Sequence, residues 1–117
     1  MKNCVIVEDE FTAQEVAKHL AVKYGGLNIL GTFDNAQDAL KFINKNEKVD
    51  IVFLDIHLPD MSGFSFLENL TSTPKVVLVT SDKNLALTAY NFDLVVDYLV
   101  KPLQKDRFME AINQCLK

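Results

Sequence analysis

The spacing of apolar residues restricts the fold of this chain more than any other feature. Three short blocks rich in β-branched residues, 4–7, 51–54 and 76–79, have the length of strands that are buried on both faces. A fourth block, 95–100, is interrupted by polar residues. A fifth, 29–33, has apolar residues at alternate positions, which is typical of a less buried edge strand.

The intervals between these blocks have the period of helices. In the first interval apolar residues form one amphipathic stripe: Ala13, Val16, Ala17, Leu20, Ala21 and Tyr24. Gly25-Gly26 then ends that helix. Similar patterns predict helices over 36–43, with Asp34 or Asn35 as the N-cap, over 62–70 and over 108–116. The pattern over 85–92 has a poorer period and predicts a helix less clearly.

Strand and helix therefore alternate five times along the chain, with no linker or internal repeat. This order predicts an α/β fold in which a parallel sheet is covered by helices on both faces. At 117 residues, we expect a single domain spanning residues 1–117. In such doubly wound folds, ligands bind in the crevice beyond the carboxyl ends of the strands.

Composition excludes several classes of partner. The net charge is −4 and no basic run occurs, so this domain by itself is not expected to bind nucleic acid. Cys4 and Cys115 lie near opposite ends and form no metal-binding motif, which favours packed, reduced thiols in a cytoplasmic protein. No apolar run is long enough for a signal-peptide core or a membrane span, so we expect no membrane association.

Polar residues follow four of the predicted strands at the point where each strand ends. Glu8 and Asp9 follow the first block, Asp55 follows the block 51–54, Thr80 follows the block 76–79, and Lys101 follows the last. Because the carboxyl ends of parallel strands meet at one edge, we expect these groups to lie close together.

Three carboxylates at that edge would repel one another by roughly a few kcal/mol per pair at 4–6 Å. A hard divalent cation such as Mg²⁺ removes this repulsion, since it prefers oxygen ligands and accepts few protein carboxylates. With the cation, an ammonium from Lys101 and a hydroxyl from Thr80 would meet the oxygens of a transferring phosphoryl group. The pattern thus predicts Asp55 as a nucleophile that forms an aspartyl phosphate.

The motifs VEDE, FLDIHLPDMSG, LVTS and DYLVKP, in this order and spacing, resemble the receiver domain of two-component response regulators, which act in bacterial phosphorelay signalling. The resemblance covers essentially the whole chain and implies a flavodoxin-like (βα)5 fold with strand order 2-1-3-4-5. The segment LALTAYNFDLVVDYLVKPL is more narrowly similar to receivers of the LytTR class. The implied function is a signalling switch that catalyses only its own phosphorylation and dephosphorylation, rather than an enzyme.

The resemblance also implies residue roles. Asp55 matches the phosphoacceptor, and Glu8 and Asp9 match the acidic pair that holds Mg²⁺ with Asp55 and the backbone carbonyl of His57. Lys101 matches the phosphate-binding lysine, and the peptide bond before the following proline is typically cis in this family.

Further matches concern the switch and the rim of the pocket. Thr80 matches the switch hydroxyl, and Tyr98 matches the aromatic ring that is expected to turn from an exposed to a buried rotamer. His57 and Asp82 match positions that flank the route of the attacking water. Ser81 or Asp82 is expected to cap the next helix, while Glu10 is expected to be a solvated surface acid.

The resemblance implies three kinds of partner. A histidine kinase or phosphotransfer protein would donate the phosphoryl group. The surface over residues 83–116, formed by the fourth helix, the last strand and the last helix, would bind a second copy of the receiver or a different protein. In the LytTR class the receiver precedes a DNA-binding domain, which would lie C-terminal to this chain.

Three other functions compete with this one. A haloacid-dehalogenase-type phosphohydrolase requires a second aspartate two residues after the nucleophile, where this chain has His57. A flavodoxin-like cofactor binder requires a phosphate loop after the first strand, where this chain has three acids. An interaction module that is never phosphorylated lacks no sequence feature and is the strongest alternative.

Overall fold

The computed structural model describes residues 1–46 and 48–117 and consists of alternating strands and helices. Every predicted strand and helix is present, although several begin or end a few residues away from the predicted bounds. In chain order, the elements are β1 (Lys2–Val7), α1 (Phe11–Tyr24), β2 (Leu27–Phe33), α2 (Ala36–Asn44), β3 (Ile51–Asp55), α3 (Gly63–Glu68), β4 (Lys75–Thr80), α4 (Ala86–Ala89), β5 (Val95–Val100) and α5 (Lys105–Cys115).

The five strands form one parallel sheet in the order β2-β1-β3-β4-β5, which confirms the expected topology. The apolar parts of β1, β3 and β4 are buried because these strands have neighbours on both sides and helices on both faces. The strand β2 lies at one edge and is mostly half-buried, as its alternating pattern predicted. The strand β5 forms the other edge.

Two apolar layers cover the sheet. On one face, α1 and α5 pack on alternate strand residues, and the rings of Phe53 and Phe108 stack with centroids 4.8 Å apart. On the other face, α2, α3 and α4 pack against the remaining strand residues, with Phe66 and Ile43 fully buried. Because successive strand residues point to opposite faces, each central strand supplies both layers. This packing holds the carboxyl ends of β1, β3 and β4 side by side.

The ends of the helices follow the predicted signals. Gly25 ends α1 with a φ of 87°, the left-handed conformation that glycine adopts at no steric cost. Asn35, one of the two predicted caps, accepts a hydrogen bond from the backbone N–H of Asp38. Ser62 caps α3 in the same way by accepting from Ser65 N–H. These side chains satisfy backbone donors that have no partner within the helix.

The helix α4 is only four residues long, shorter than the segment 85–92 that the sequence indicated. Leu85 at its N-cap provides no side-chain cap, and Leu87 is 89% exposed, so little burial supports a longer helix. The Asp82 carboxylate accepts from the backbone N–H of Asn84, 2.9 Å away, in the turn ahead of the helix. Of the two predicted capping residues, Asp82 is thus the one that binds a backbone donor in this region.

Asp97 explains the polar interruption in the last strand. Its buried carboxylate accepts two hydrogen bonds from Arg107, at 2.7 and 2.9 Å, and a third from the backbone N–H of Tyr98 at 2.8 Å. Burial by itself would raise the pKa of the Asp97 carboxyl, but these hydrogen bonds outweigh burial and hold the pKa below its usual value. The pair ties α5 to the edge of the sheet.

Both cysteines are free and buried, as predicted, and burial raises the pKa of Cys4 to about 12 and that of Cys115 to about 11. The peptide bond between Lys101 and Pro102 is cis, in agreement with the family expectation. Within the part of the chain that the structure describes, no helix has the length and apolar character needed to cross a membrane.

Replacing Gly63 tests how tightly the loop after β3 is packed. A Cβ atom at this position would lie 2.9 Å from Ile56 Cα and 3.1 Å from the carbonyl oxygen of Asp55. Although alanine favours helices more than glycine does, we expect Gly63→Ala to destabilise the fold by about 1–3 kcal/mol in urea denaturation. As a control, Gly26→Ala would meet only the Tyr24 ring at 3.5 Å and should change stability by less than about 0.5 kcal/mol. Equal stability of the two variants would contradict the close packing.

Candidate functional site

Three acidic side chains meet at the carboxyl edge of the sheet. Glu8 and Asp9 follow β1 directly, and Asp55 is the last residue of β3. One carboxylate oxygen from each of the three lies within 4.8 Å of the others. Glu8 is 4% exposed and Asp55 is 5% exposed, whereas Asp9 is exposed at the rim. The parallel strands therefore bring together the acids that the sequence predicted.

Lys101 reaches into this cluster from the end of β5. Its Nζ lies 2.6 Å from Glu8 Oε1, 3.1 Å from Asp55 Oδ2 and 3.0 Å from Glu10 Oε1. The lysine backbone is fixed to the neighbouring strand, because its N–H donates to the Thr80 carbonyl at 2.8 Å. One ammonium group thus faces three carboxylates, and Asp9 adds a fourth acid nearby.

Backbone donors orient the two buried carboxylates. The N–H of His57 donates to Asp55 Oδ1 at 3.1 Å, and the N–H of Glu10 donates to Glu8 Oε2 at 3.1 Å. The Glu8 backbone is itself held, since its N–H donates to the carbonyl of Phe33 at 2.9 Å. Each acid is therefore fixed both by its strand and by the loop that follows.

Burial and the neighbouring charges change the protonation of the site. Burial and, to a smaller extent, the charge of Asp55 raise the pKa of Glu8 to about 7, against the hydrogen bonds from Lys101 and from the Glu10 N–H. Burial would lower the pKa of Lys101, but hydrogen bonds from this ammonium to Glu8 and Glu10 outweigh burial and raise it. Lys101 therefore stays charged near neutrality, whereas burial favours the protonated form of Glu8.

The hydroxyl of Thr80 lies at the end of the adjacent strand, β4, and is fully buried. Its Oγ1 accepts a hydrogen bond from the backbone N–H of Asp82 at 3.2 Å. This side chain completes a set of three carboxylates, an ammonium and a hydroxyl on neighbouring strand ends.

Comparison with known proteins identifies the family of this chain. A family model described as "Response regulator receiver domain" matches residues 4–113, which is nearly the whole chain. The chain belongs to the response regulator receiver domain family. This membership decides against the phosphohydrolase and the flavodoxin-like cofactor binder.

Relatives of this receiver domain occur in bacteria. It is 38% identical over 113 residues to the transcriptional regulatory protein YpdB of Escherichia coli K12, covering 94% of this chain and 46% of that protein. It is 34% identical over 120 residues to the sensory transduction protein LytT of Bacillus anthracis, covering 100% of this chain and 48% of that protein. The chain thus spans about half the length of these curated relatives.

Solved structures agree with this fold. The response regulatory domain of MrkE from Klebsiella pneumoniae superposes with a TM-score of 0.88 at 34% identity, covering 97% of this chain and 94% of that chain. A LuxR-family DNA-binding response regulator from Staphylococcus aureus gives a TM-score of 0.84 at 28% identity and covers both chains fully.

The side chain of Tyr98 does not have the exposed rotamer that was expected before phosphorylation. It is buried, with 8% exposure. The phenol hydroxyl donates to the Asp82 carbonyl and accepts from the Leu85 N–H at 3.3 Å. Both partners belong to the loop between β4 and α4, so the ring is held inward by that loop. The sequence pattern contains no information on this rotamer, because the partners are backbone atoms of another strand's loop.

The predicted rim residues lie together at the mouth of the site. His57 Nε2 is 3.6 Å from Asp82 Oδ2, and both side chains are partly or largely exposed. The backbone carbonyl of His57 stays a predicted metal ligand, as no contact of that atom tests it.

Two further contacts were missed by sequence reasoning. Glu10, expected to be only a solvated acid, is the third carboxylate on Lys101. Asp60, in the loop after β3, binds the N-terminus of α2. Glu10 could have been recognised from its position one residue beyond the acidic pair, whereas nothing local in the sequence specifies the partner of Asp60.

The acidic cluster of the receiver domain fits a hard divalent cation. Glu8, Asp9 and Asp55 offer oxygen ligands only, which Mg²⁺ prefers, and their excess charge is not balanced by Lys101 alone. Asp9 lies at the exposed side of the cluster, where the several waters that Mg²⁺ retains have access.

The raised pKa of Glu8 predicts a pH-dependent loss of stability without metal. The folded state binds the Glu8 proton more tightly than the unfolded state, with a pKa of about 7 against 4.5. The stabilisation of the folded state by this proton is therefore complete below pH 4.5 and disappears as the pH rises through 7. In chelator, the free energy of unfolding should fall by about 1–3 kcal/mol more for wild type than for Glu8→Gln between pH 5 and pH 8. Urea denaturation at both pH values measures this difference.

Glu68→Gln is the matched control, since Glu68 is an exposed glutamate on α3 that should leave the pH profile unchanged. Identical profiles for Glu8→Gln and wild type would show that Glu8 is ionised throughout this range.

Proposed function

We propose that this receiver domain is a phosphorylation-dependent switch in which Asp55 accepts a phosphoryl group from the phosphohistidine of a histidine kinase or phosphotransfer protein. The observation that carries the proposal is the buried Asp55 carboxylate, which lies between two further acids and the Lys101 ammonium at one sheet edge. A carboxylate so placed is costly for the fold. Its arrangement is best explained by a chemical use.

The transfer requires one bond to form and one to break. A carboxylate oxygen of Asp55 attacks the phosphorus and the P–N bond to the donor imidazole breaks. That imidazole keeps the bonding electrons and takes up a proton from solvent water. The His57 N–H on Oδ1 and the Lys101 ammonium on Oδ2 fix the plane of the acceptor. The Lys101 ammonium and the Thr80 hydroxyl then contact phosphoryl oxygens, where charge is spread in the transition state.

Glu8, Asp9, Asp55 and the His57 backbone carbonyl would hold Mg²⁺. When bound, the ion neutralises charge on the phosphoryl oxygens and on the carboxylates. Hydrolysis of the aspartyl phosphate by water returns the domain to its starting state. His57 and Asp82, which face each other across the mouth of the site, control the access of that water.

The output surface is the α4-β5-α5 face, meaning the exposed residues of α4, β5 and α5. Two exposed apolar side chains lie on it, Leu87 and Val100, and the exposed ring of Tyr90 follows directly after α4. Thr80 connects this face to the phosphoryl group, because its hydroxyl holds the Asp82 N–H in the same loop that holds Tyr98. When the hydroxyl moves towards the phosphoryl group, this loop changes and alters the surface.

Two occupants of this face are consistent with the relatives. A second copy of the receiver would give a phosphorylation-dependent homodimer. The second possible occupant is an output domain that binds DNA, because relatives such as the transcriptional regulatory protein YpdB are about twice as long as this chain. The receiver would then control that domain, and nucleic acid would not bind the receiver itself.

Asp55→Asn should abolish phosphorylation by acetyl phosphate. The amide is a poor nucleophile and no acyl phosphate forms, so the mass increase by one phosphoryl group seen with wild type should be absent in intact-mass spectrometry. Chelation of Mg²⁺ should prevent the same increase in wild type.

Asp93→Asn is the control, because Asp93 is an exposed aspartate in the loop before β5, and this variant should be phosphorylated normally. Undiminished phosphorylation of Asp55→Asn would refute the assignment. Lack of phosphorylation in wild type by any phosphohistidine or acetyl phosphate donor would instead favour the unphosphorylated interaction module.

Thr80→Ala should separate phosphorylation from response. The variant keeps Asp55 and Lys101 and should still be phosphorylated, although more slowly, because one donor to the phosphoryl group is lost. The phosphorylation-induced chemical-shift changes across residues 83–116, measured by NMR, should shrink. Thr80→Ser keeps the hydroxyl and should restore them, and a full-sized response in Thr80→Ala would exclude the proposed route.

A further inference from the structure

Asp60 joins the loop after β3 to a different element of the fold. It lies in the segment between β3 and α3, and its carboxylate reaches the N-terminus of α2. Oδ1 accepts from the backbone N–H of Ala36 at 2.8 Å, and Oδ2 accepts from that of Gln37 at 2.9 Å. The chemistry proposed above does not use this residue.

The contact has the properties of a specific anchor. The first N–H groups of a helix have no partner within the helix, and the helix dipole favours a negative charge there. The Asn35 side chain accepts from the N–H of Asp38, and the Asp60 carboxylate accepts from the N–H groups of Ala36 and Gln37. Three successive backbone donors at the start of α2 are therefore paired. The hydrogen bonds from Ala36 and Gln37 lower the pKa of Asp60, which keeps its carboxylate ionised.

The loop that carries Asp60 is closed at its base. The N–H of Gly63 donates to the Ile56 carbonyl at 2.7 Å, and His57 and Ser62 form an antiparallel bridge. A loop closed in this way moves as a unit when its tip moves. The same unit includes the His57 N–H, which binds Asp55 Oδ1.

Glu8, the other buried acid of the site, is hydrogen-bonded to the segment that leads into α2. The N–H of Glu8 donates to the carbonyl of Phe33, the last residue of β2, three residues before α2 begins. The segment from Phe33 to Gln37 therefore contacts the backbone of Glu8 on one side and the loop of Asp55 and His57 on the other.

We propose that Asp60 is a positioning residue for the phosphorylation site. By fixing the loop after β3 to the N-terminus of α2, it holds Asp55 and the His57 backbone in place relative to Glu8. This inference rests on the proposed function, because the geometry it maintains is that of the Mg²⁺ and phosphoryl-accepting groups. Residues behind the direct ligands typically change metal affinity or activity by about 10- to 100-fold when replaced.

Two substitutions at this position have graded expectations. Asp60→Ala removes both acceptors and should weaken Mg²⁺ binding and slow phosphorylation by acetyl phosphate, each by about tenfold or more. Asp60→Asn keeps one acceptor oxygen and should recover part of both losses. Asp38→Asn is the matched control, since it removes one negative charge from the same helix turn but leaves the loop contact intact.

The tie itself is tested without metal or phosphate. Amide hydrogen exchange in chelator should accelerate at Ala36, Gln37 and His57 in Asp60→Ala, and should stay at wild-type rates in Asp38→Asn. Faster exchange at His57 distinguishes a positioning role from simple loss of a helix cap, which would affect α2 alone.

NMR titration measures the Mg²⁺ affinity of the Asp60 variants. The proposal would be overturned if both this affinity and the exchange rate of the His57 amide stay within about twofold of wild type. If Asp60→Ala does not fold, the same two measurements on Asp60→Asn decide. Failure of wild type to be phosphorylated at Asp55 would count against the proposed function, whereas the metal-free exchange rates would still decide whether Asp60 fixes the loop.

Discussion

The concentration of negative charge at the carboxyl edge of the sheet is the constraint on which the other features of the site depend. The parallel pairing of β1 and β3 places Glu8 beside Asp55. Among the described residues, only Lys101 has a cationic group that contacts both carboxylates. A single ammonium cannot balance these acids with Asp9 and Glu10 nearby, so the site is under repulsion until a cation binds or a proton is taken up. The buried layers on both faces of the sheet provide the stability that tolerates this repulsion.

The same edge connects the site to the rest of the molecule. Lys101 and Thr80 are joined by a backbone hydrogen bond between the ends of β5 and β4, so the two groups proposed to bind the phosphoryl oxygens share one rigid support. From Thr80 the contacts continue through the Asp82 backbone to the Tyr98 hydroxyl. On the other side of the sheet, Phe33 and Asp60 link Glu8 and the loop after β3 to α2. The groups around Asp55 are therefore connected by hydrogen bonds to two separate parts of the molecule.

Most of the fold could be predicted from the sequence, because buried strand blocks and amphipathic helix stripes are local patterns. Tertiary packing stabilises the same elements that these patterns indicate. The acids, Thr80 and Lys101 could be predicted for the same reason, since each directly follows or ends a recognisable strand. What could not be predicted depends on distant partners: the inward ring of Tyr98 and the bond from Asp60 to α2. The pairing of Glu10 with Lys101 was missed, although Glu10 directly follows the acidic pair. The length of α4 was overestimated, because Tyr90 and Phe92, which extended its apolar pattern, lie in the turn that follows the helix.

The ion pair of Asp97 and Arg107 has a consequence for how other molecules can approach the domain. As an edge strand, β5 offers unpaired backbone groups that could template the addition of a foreign strand. Here the Asp97 carboxylate already occupies the N–H of Tyr98, and Arg107 covers that carboxylate. An incoming strand would have to displace a neutralised, buried charge to form its ladder. Self-association by sheet extension, the usual first step towards aggregation of open sheets, is therefore opposed at this point of the edge.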